Sequence, residues 1–230
     1  MTISVIIPTL NEEQALGQTL ASLPSSLALE TIIVDGGSSD RTLPIASAFC
    51  TETSNSHIVG ASTGRARQMN EGAKMSRGDI LLFLHADTQV PSDASRIIES
   101  ALQDPAIVGG RFDVRFDTDS GWGRIISALM NWRSRTSGIA TGDQGIFVRR
   151  HIFEQLGGFA DIPLMEDIEF SRRLKQTGST VALRQTVITS FRRWEQQGPL
   201  RTILLMWILR FLYWAGVNPH QLARFYHTVR

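Results

Sequence analysis

Four short polar clusters hold most of the side chains that could do chemistry in this 230-residue chain. Asp35-Gly36-Gly37-Ser38-Ser39-Asp40-Arg41-Thr42 follows an apolar run. Glycines there let backbone approach a ligand closely. The free N–H groups of a following helix favour an anion or a sugar hydroxyl, and Asp35 can accept from a base N–H or a ribose. Ser and Asp in the same place also serve as ordinary helix caps. The spacing is not G-x-G-x-x-G and no Walker lysine is present, so dinucleotide and P-loop readings are weak. His85-Ala86-Asp87 also ends an apolar run. A carboxylate there suits Mg²⁺ or Mn²⁺, which takes one or two protein carboxylates plus phosphate oxygens; a histidine nitrogen shifts the preference towards Mn²⁺. The plainer alternative is that Asp87 caps a turn and His85 packs in the core. Glu166-Asp167-Ile168-Glu169 opens a helical pattern. First-turn acids commonly complement the helix dipole, worth about 0.3–1 kcal/mol each. Crowded carboxylates also raise one another's pKa towards general-base range, with Arg172 and Arg173 placed to offset the charge. Arg65, Arg67 and Gln68 offer forks for phosphate, or simply a solvated helix face.

These clusters need elements to position them. Residues 3–7 are a β-branched run stopped by Pro8, and residues 31–34 and 80–84 are similar buried-strand runs. Asn11 reads as an N-cap with Gln14 three positions on, ahead of a helix with Leu16, Leu20 and Leu23 on one face. Further helices are expected over 42–49, over Arg65–Met75 and after Pro91-Ser92. Apolar strands alternating with helices imply a mostly parallel sheet covered on both faces. Ligands of such sheets bind beyond the strand C-terminal ends, so residues 9–12, 35–40 and 85–88 converge on one crevice. The second half differs. Residues 110–117 alternate apolar and charged, as in a half-exposed antiparallel strand. Residues 122–132 form an amphipathic helix carrying Ile125, Ile126, Leu129 and Met130. Residues 145–149 are a short strand, Gly157-Gly158 a turn, and 166–175 a helix stopped by Gly178.

Composition bounds the rest. Apolar residues are 42% and charged residues 20%, a globular balance. Lys+Arg 23 against Asp+Glu 22 gives no basic excess, so no nucleic-acid partner is expected. One cysteine cannot form an internal disulfide, and a reducing compartment fits. The N-terminus has no basic n-region of a signal peptide, and no window of 18 uninterrupted apolar residues spans a membrane. Residues 200–217 come nearest, but Arg210 interrupts them. As a helix they would reach about 27 Å, and a central arginine costs about 2.5–3.5 kcal/mol on insertion scales. A helix lying in the membrane interface, with Trp207, Tyr213 and Trp214 at headgroup level, is expected; a core helix or a homodimer helix stands beside it as the alternative.

With these residues in place, the chain resembles an inverting glycosyltransferase of family 2, over roughly residues 3–195. The motifs are Val5-Ile6-Ile7-Pro8-Thr9-Leu10-Asn11-Glu12-Glu13, the block from Ile32 to Thr42, Gly64-Arg65-Ala66-Arg67-Gln68-Met69-Asn70-Glu71-Gly72-Ala73, Phe83-Leu84-His85-Ala86-Asp87-Thr88, Gly142-Asp143-Gln144-Gly145, Glu166-Asp167 and Arg193-Trp194. The wording is closest to a small bacterial subgroup. The resemblance implies an α/β chain of GT-A type: a Rossmann-like, mostly parallel sheet flanked by helices, a small antiparallel acceptor-side sheet, and C-terminal helices. One integrated domain is expected over 1–230, with a nucleotide-sugar half at 1–105, an acceptor and catalytic half at 106–195, and a helical, membrane-facing segment at 196–230.

By the same resemblance, Pro8, Thr9, Leu10, Glu12, Asp35, Gly37, Arg65, Gln68 and Ala86 hold the nucleotide sugar, a UDP-sugar being the expected donor. Asp87 matches the last Asp of the family's Asp-x-Asp metal motif, with His85 in place of the first, and a divalent Mn²⁺ or Mg²⁺ is the implied cofactor. Asp167 matches the catalytic base, with Glu166 beside it. Asp143, Gln144 and Trp194 fall on the acceptor side. Ser190 stands where the fuller Gln-x-x-Arg-Trp motif has Gln, which argues against a processive polymer synthase. The implied chemistry is one inverting displacement: Asp167 deprotonates an acceptor hydroxyl while the metal stabilises the departing nucleoside diphosphate. A membrane-lying C-terminal helix would suit a lipid-like acceptor (a polyprenyl phosphate, glycolipid or carotenoid derivative), on the inner face of the cell membrane. Two other readings stay open. A sugar nucleotidyltransferase would show a Gly-rich loop with Arg and Lys after the first strand, where Pro8–Glu13 is acidic. A catalytically idle relative would act as a membrane-associated binding module.

Overall fold

β1 (Ile3–Thr9), β2 (Glu30–Asp35) and β4 (Ile80–Phe83) are buried along their whole length. β1 pairs in parallel with β2 on one side and β4 on the other. Successive side chains alternate between faces. Val5, Ile7, Ile33 and Leu82 join one core cluster, while Ile6, Ile32, Leu81 and Phe83 join the other. The first is covered by α1 (Leu16–Ala21), α2 (Thr42–Glu52) and α4 (Ala94–Ala101), the second by α3 (Arg65–Met75). α3 comes close because Gly72 faces the sheet; a Cβ there would meet Ile6 at 2.5 Å and Val34 at 2.8 Å. The computed structural model describes residues 1–24 and 30–227; residues 228–230 of the expected C-terminal segment lie outside them.

β1 continues through Pro8, where the sequence implied a stop. Ile6 accepts from Leu84 N and Thr9 accepts from Gly36 N, so Pro8 faces the β4 side. The β4 pairing ends at Ile6, so the missing proline N–H leaves no ladder bond unmade.

Among the described residues the sheet has eight strands in the order β3-β2-β1-β4-β7-β6-β8-β5. β3 (Ser56–Gly60) extends the parallel edge. β7 (Ile146–Arg149) pairs antiparallel with β4 and with β6 (Ile107–Phe116). β8 (Ser179–Thr189) runs parallel to β6 and antiparallel to the short β5 (Thr88–Gln89). The strands expected to form a separate small antiparallel sheet thus continue the main sheet. α5 (Gly121–Ser137), α6 (Arg150–Gln155) and α7 (Glu166–Thr177) cover this half, and α8 (Arg192–Gln197), α9 (Pro199–Trp214) and α10 (Pro219–His227) close the chain.

Three local expectations change. Asn11 does not cap its own helix. It sits at φ 55°, α1 starts only at Leu16, and the Asn11 carboxamide oxygen accepts from Ser39 N at 2.9 Å. Glu12 N donates to Thr42 Oγ1 and Glu13 N to Asp40. The polar residues brace the β1 corner against the β2 corner. β6 is not a half-exposed antiparallel strand; it has neighbours on both sides and one of them is parallel. Its polar face is buried at Arg111 and half-buried at Asp113, where Arg135 of α5 reaches over at 2.7 Å. Only Arg115 and Asp117 reach solvent. Finally, α5 turns Ile126 and Met130 inward and leaves Trp122, Ile125, Leu129 and Trp132 exposed.

Candidate functional site

The β1 and β2 tips are built largely for self-support. The Asp35 carboxylate accepts from Gly37 N at 2.9 Å, Ser38 N at 3.0 Å and Ser38 Oγ at 2.5 Å. Gly37 has φ 95°, which a side chain would resist. Gln68 is buried, and its amide nitrogen donates to the carbonyls of Thr9 at 2.7 Å and Val34 at 2.9 Å. It therefore splices the two strand ends. Pro8, Thr9 and Ala86 are buried, and Ala86 O accepts from Thr19 Oγ1. Leu10 and Glu12 lie at the half-buried rim. Asp35 stands two strands from the end of β4, about 10 Å at ordinary strand spacing.

The acid centre lies on the other side of β1. α7 opens after Met165, a buried non-glycine residue at φ 70°. Such a conformation persists only when its surroundings enforce it; here Met165 packs with Leu209, Leu222 and Tyr226 of α9 and α10. Glu166 is buried, 3.6 Å from Arg65. Burial and the adjacent Asp167 push its pKa up, and Arg65 opposes them. Burial acts to lower the Arg65 pKa, yet Glu166, Asp167 and Asp87 hold it above its ordinary value. Asp167 Oδ2 accepts from Gly142 N at 2.9 Å, and Oδ1 from Ile168 N at 2.7 Å. Both oxygens are thereby fixed.

Asp87 meets this centre from β4. Burial raises its pKa, Arg65 and Arg192 lower it, and Asp143 raises it further. Asp143 sits on a 3₁₀ turn, Gly142–Gln144. Gln144 is fully buried, and its carbonyl oxygen accepts from Ser134 Oγ and Thr141 N. Gln144 therefore holds the turn from behind; the surface is left to Asp143. The turn presses on His85, since a Cβ at Gly142 would collide with His85 Nε2. One Asp143 carboxylate oxygen is buried without a hydrogen-bond partner among the described residues. Among the described residues, no group of three His, Cys, Asp or Glu side chains is arranged to hold a metal there. Two mutually repelling carboxylates, one with an unmatched oxygen, nonetheless fit a hard divalent cation that draws its remaining oxygens from a phosphate.

Arg192 ties the halves together: it reaches Gln14 at 3.0 Å and Glu12 at 3.3 Å. A cleft of about 170 Å³ opens beside it, lined by Gln14, Thr19, Asp87, Asp117 and Arg192. Trp194 packs with Phe116 and Phe191 as an apolar wall. The structure thus gathers His85, Asp87, Asp143, Glu166, Asp167 and Arg65, and joins the Glu12 corner through Arg192. Asp35, Gly37 and Gln68 remain on the β2 side. The motif reading missed three arginines. Arg192 precedes the Arg193-Trp194 pair. Arg133 on α5 and Arg210 on α9 both lie in the field of Asp143 and Asp167. Arg210, which read as an interruption of a lipid-facing helix, is half-buried and turned to the site.

Known proteins share this architecture. The chain is 34% identical over 161 residues to the undecaprenyl-phosphate 4-deoxy-4-formamido-L-arabinose transferase of Pseudomonas aeruginosa (strain LESB58), a match covering 65% of this chain and 46% of that one. The chain spans about half the length of the curated relatives it matches. The structure of S. aureus TarS 1-349 in complex with UDP-GlcNAc superposes with a TM-score of 0.67 at 19% identity, covering 83% of this chain and 58% of that one. The mannosyltransferase PcManGT from Pyrobaculum calidifontis, in complex with GDP-Man and Mn²⁺, gives 0.67 at 19% identity, covering 81% and 56%. These likenesses show the GT-A-type fold that the sequence resemblance implied. The family model for glycosyl transferase family 2 matches residues 4–157, and the chain belongs to that family.

Proposed function

We propose that this chain transfers a sugar from a nucleoside-diphosphate sugar to an acceptor oxygen with inversion, at a membrane surface. The observation that carries the reading is the meeting of Asp87, Asp143 and a doubly anchored Asp167 beside Arg65 and Arg192. Base and ribose lie towards Asp35 and the Pro8–Glu12 corner, and the diphosphate towards Asp87. That assigns residues 1–105 to the donor and 106–195 to the acceptor. Asp167 takes the acceptor proton as the acceptor oxygen attacks the anomeric carbon. The bond from that carbon to the diphosphate breaks, and Arg65 and Arg192 face the charge that leaves. A bound Mn²⁺ or Mg²⁺, held by Asp87 with Asp143 and His85 beside it, would supply Lewis-acid stabilisation of the same diphosphate. The PcManGT complex with GDP-Man and Mn²⁺ supports a metal, and the TarS complex supports UDP as the base carrier.

The acceptor side supports a lipid surface. No described helix is long and apolar enough to cross a membrane. α9 shows Leu200, Leu204, Trp207, Phe211 and Trp214 to solvent, and α5 shows Trp122, Ile125, Leu129 and Trp132. Ile203 of α9 packs on the cluster holding Ile126 of α5, so the helices share one edge. Across α5, α9 and α10 there is no carboxylate, and Arg124, Arg201 and Arg224 are exposed, which suits anionic lipids on the cytoplasmic face. A homodimer is the competing cover for this face.

Melting curves with UDP, GDP, CDP and dTDP, with and without Mn²⁺, test the donor site. One nucleotide should raise the melting temperature, and Asp87→Ala should abolish the metal-dependent part. Flat curves with all four nucleotides would end the reading. A catalytically idle member would bind nucleotide yet release no nucleoside diphosphate from any donor.

A further inference from the structure

Two guanidiniums stand unmatched inside the acceptor half. Among the described residues, neither the Arg133 nor the Arg210 side chain has a hydrogen bond or an ion pair. Arg133 Nε and Nη2 and Arg210 Nε are buried without partners. Buried cations are ordinarily paired, and these two also repel each other. Burial first, and Arg210 second, push the Arg133 pKa down to about 10. Arg210 is lowered by burial as well. Both still carry charge at neutral pH. The carboxylates nearest in effect are Asp143 and Asp167, and neither closes an ion pair with them. The cations acting on Asp87 are a different pair, Arg65 and Arg192. Arg65 is already engaged by Glu166 beside Asp167, whereas Arg133 and Arg210 act on Asp167 with no partner of their own. Each arginine also flanks the exposed apolar surface of its own helix, α5 or α9.

We propose that Arg133 and Arg210 form a subsite for the phosphoryl group of a phosphomonoester acceptor, beside Asp167. This rests on the glycosyl-transfer reading and names its acceptor class. A phosphoryl group supplies the multi-acceptor anion that two planar guanidinium forks lack. Its organic part would leave over the apolar edge. The bond-forming step is unchanged: an acceptor oxygen bonds to the anomeric carbon, the bond to the nucleoside diphosphate breaks with its electron pair, and any acceptor proton goes to Asp167. The unliganded pair is a cost to the fold, so a binding role and a structural role make opposite predictions.

Melting curves of the full chain test this with farnesyl monophosphate, farnesol and inorganic phosphate, on wild type, R133Q, R210Q and the double variant. Farnesyl monophosphate should raise the wild-type melting temperature and farnesol should raise it less. Each single substitution should weaken phosphate binding by about ten- to a hundred-fold, the worth of a charge-assisted hydrogen bond, while raising the melting temperature of the unliganded protein. A larger shift with farnesyl monophosphate than with inorganic phosphate assigns a lipid source; equal shifts assign a soluble phosphomonoester. No shift with either, or equal shifts in wild type and double variant, overturns the proposal. So does an unliganded double variant that melts lower than wild type. The UDP–Mn²⁺ shift is read on the same samples. Its absence, with the phosphate shift intact, would instead indict the donor reading.

Discussion

Gly142 donates its backbone N–H to Asp167 Oδ2 at 2.9 Å, while its Cα hydrogens face the His85 ring. One glycine therefore sets the distance between the β4 end and the start of α7. Gly142→Ala would place a methyl into His85 Nε2, so the turn or the ring must move. Overpacking of this kind costs about 1–3 kcal/mol. The expected result is a modest fall in melting temperature with a large fall in turnover, measured as nucleoside diphosphate released, because Asp167 loses its anchor. Asp167→Asn should cut turnover by about 10²- to 10⁴-fold, the usual range for a general base, with the nucleotide-induced melting shift retained. Wild-type turnover in either variant would remove Asp167 from the chemistry.

Glu166 gives a pH signature. Burial and Asp167 raise its folded-state pKa, Arg65 notwithstanding. The folded protein then holds this proton more tightly than the unfolded chain. The contribution is fully present below the unfolded value, about 4.3, and is lost as pH rises through the folded value. Glu166→Gln removes the loss. Its melting temperature should match wild type near pH 4 and exceed it at pH 7.5. A variant less stable than wild type at pH 7.5 would mean that the Arg65 contact outweighs the burial cost.

Gln68 carries the two strand tips. Removing its amide leaves the Thr9 and Val34 carbonyls without this donor in a buried place. Each such loss costs about 1–3 kcal/mol. Gln68→Ala should therefore lower the melting temperature and weaken nucleotide binding together. Gln68→Glu keeps the shape but cannot donate, and it should be no better than alanine. If glutamate behaves as wild type, the contact is one of volume and not of hydrogen bonding.

The sheet centre was legible because β1, β2 and β4 are buried on both faces and read as unbroken apolar runs. Glu166-Asp167 and His85-Ala86-Asp87 were legible because each falls at an element boundary. β3, β5 and β8 were not. β8 is half-buried and mixes Arg184, Gln185 and Thr186 into its middle, so neither a solid run nor a clean alternation marks it. α5 showed the right period with the wrong face assigned, because its outward residues are as apolar as its inward ones. Arg133 and Arg210 were invisible as a pair. They lie 77 positions apart on helices, and only the packing of α5 and α9 sets them beside the same carboxylates. Asn11 misled because a side chain free to cap its own helix found a better partner in Ser39 across the crevice.

The exposed edge of α5 and α9 yields the last prediction. Trp132 is 66% exposed, Trp207 70% and Trp214 78%. Rings this exposed on adjacent helices, among arginines and without carboxylates, should partition to anionic vesicles. Burying one large apolar side chain is worth about 1.5–3 kcal/mol, so each of Trp132→Glu, Trp207→Glu and Trp214→Glu should weaken vesicle flotation by about ten-fold or more. Added salt should weaken it further, through the arginines. The melting temperature should hardly change, because these side chains touch little of the core. A protein that ignores vesicles but sediments as a dimer, and that returns to a monomer on Trp207→Glu, would assign the edge to a second copy of the chain.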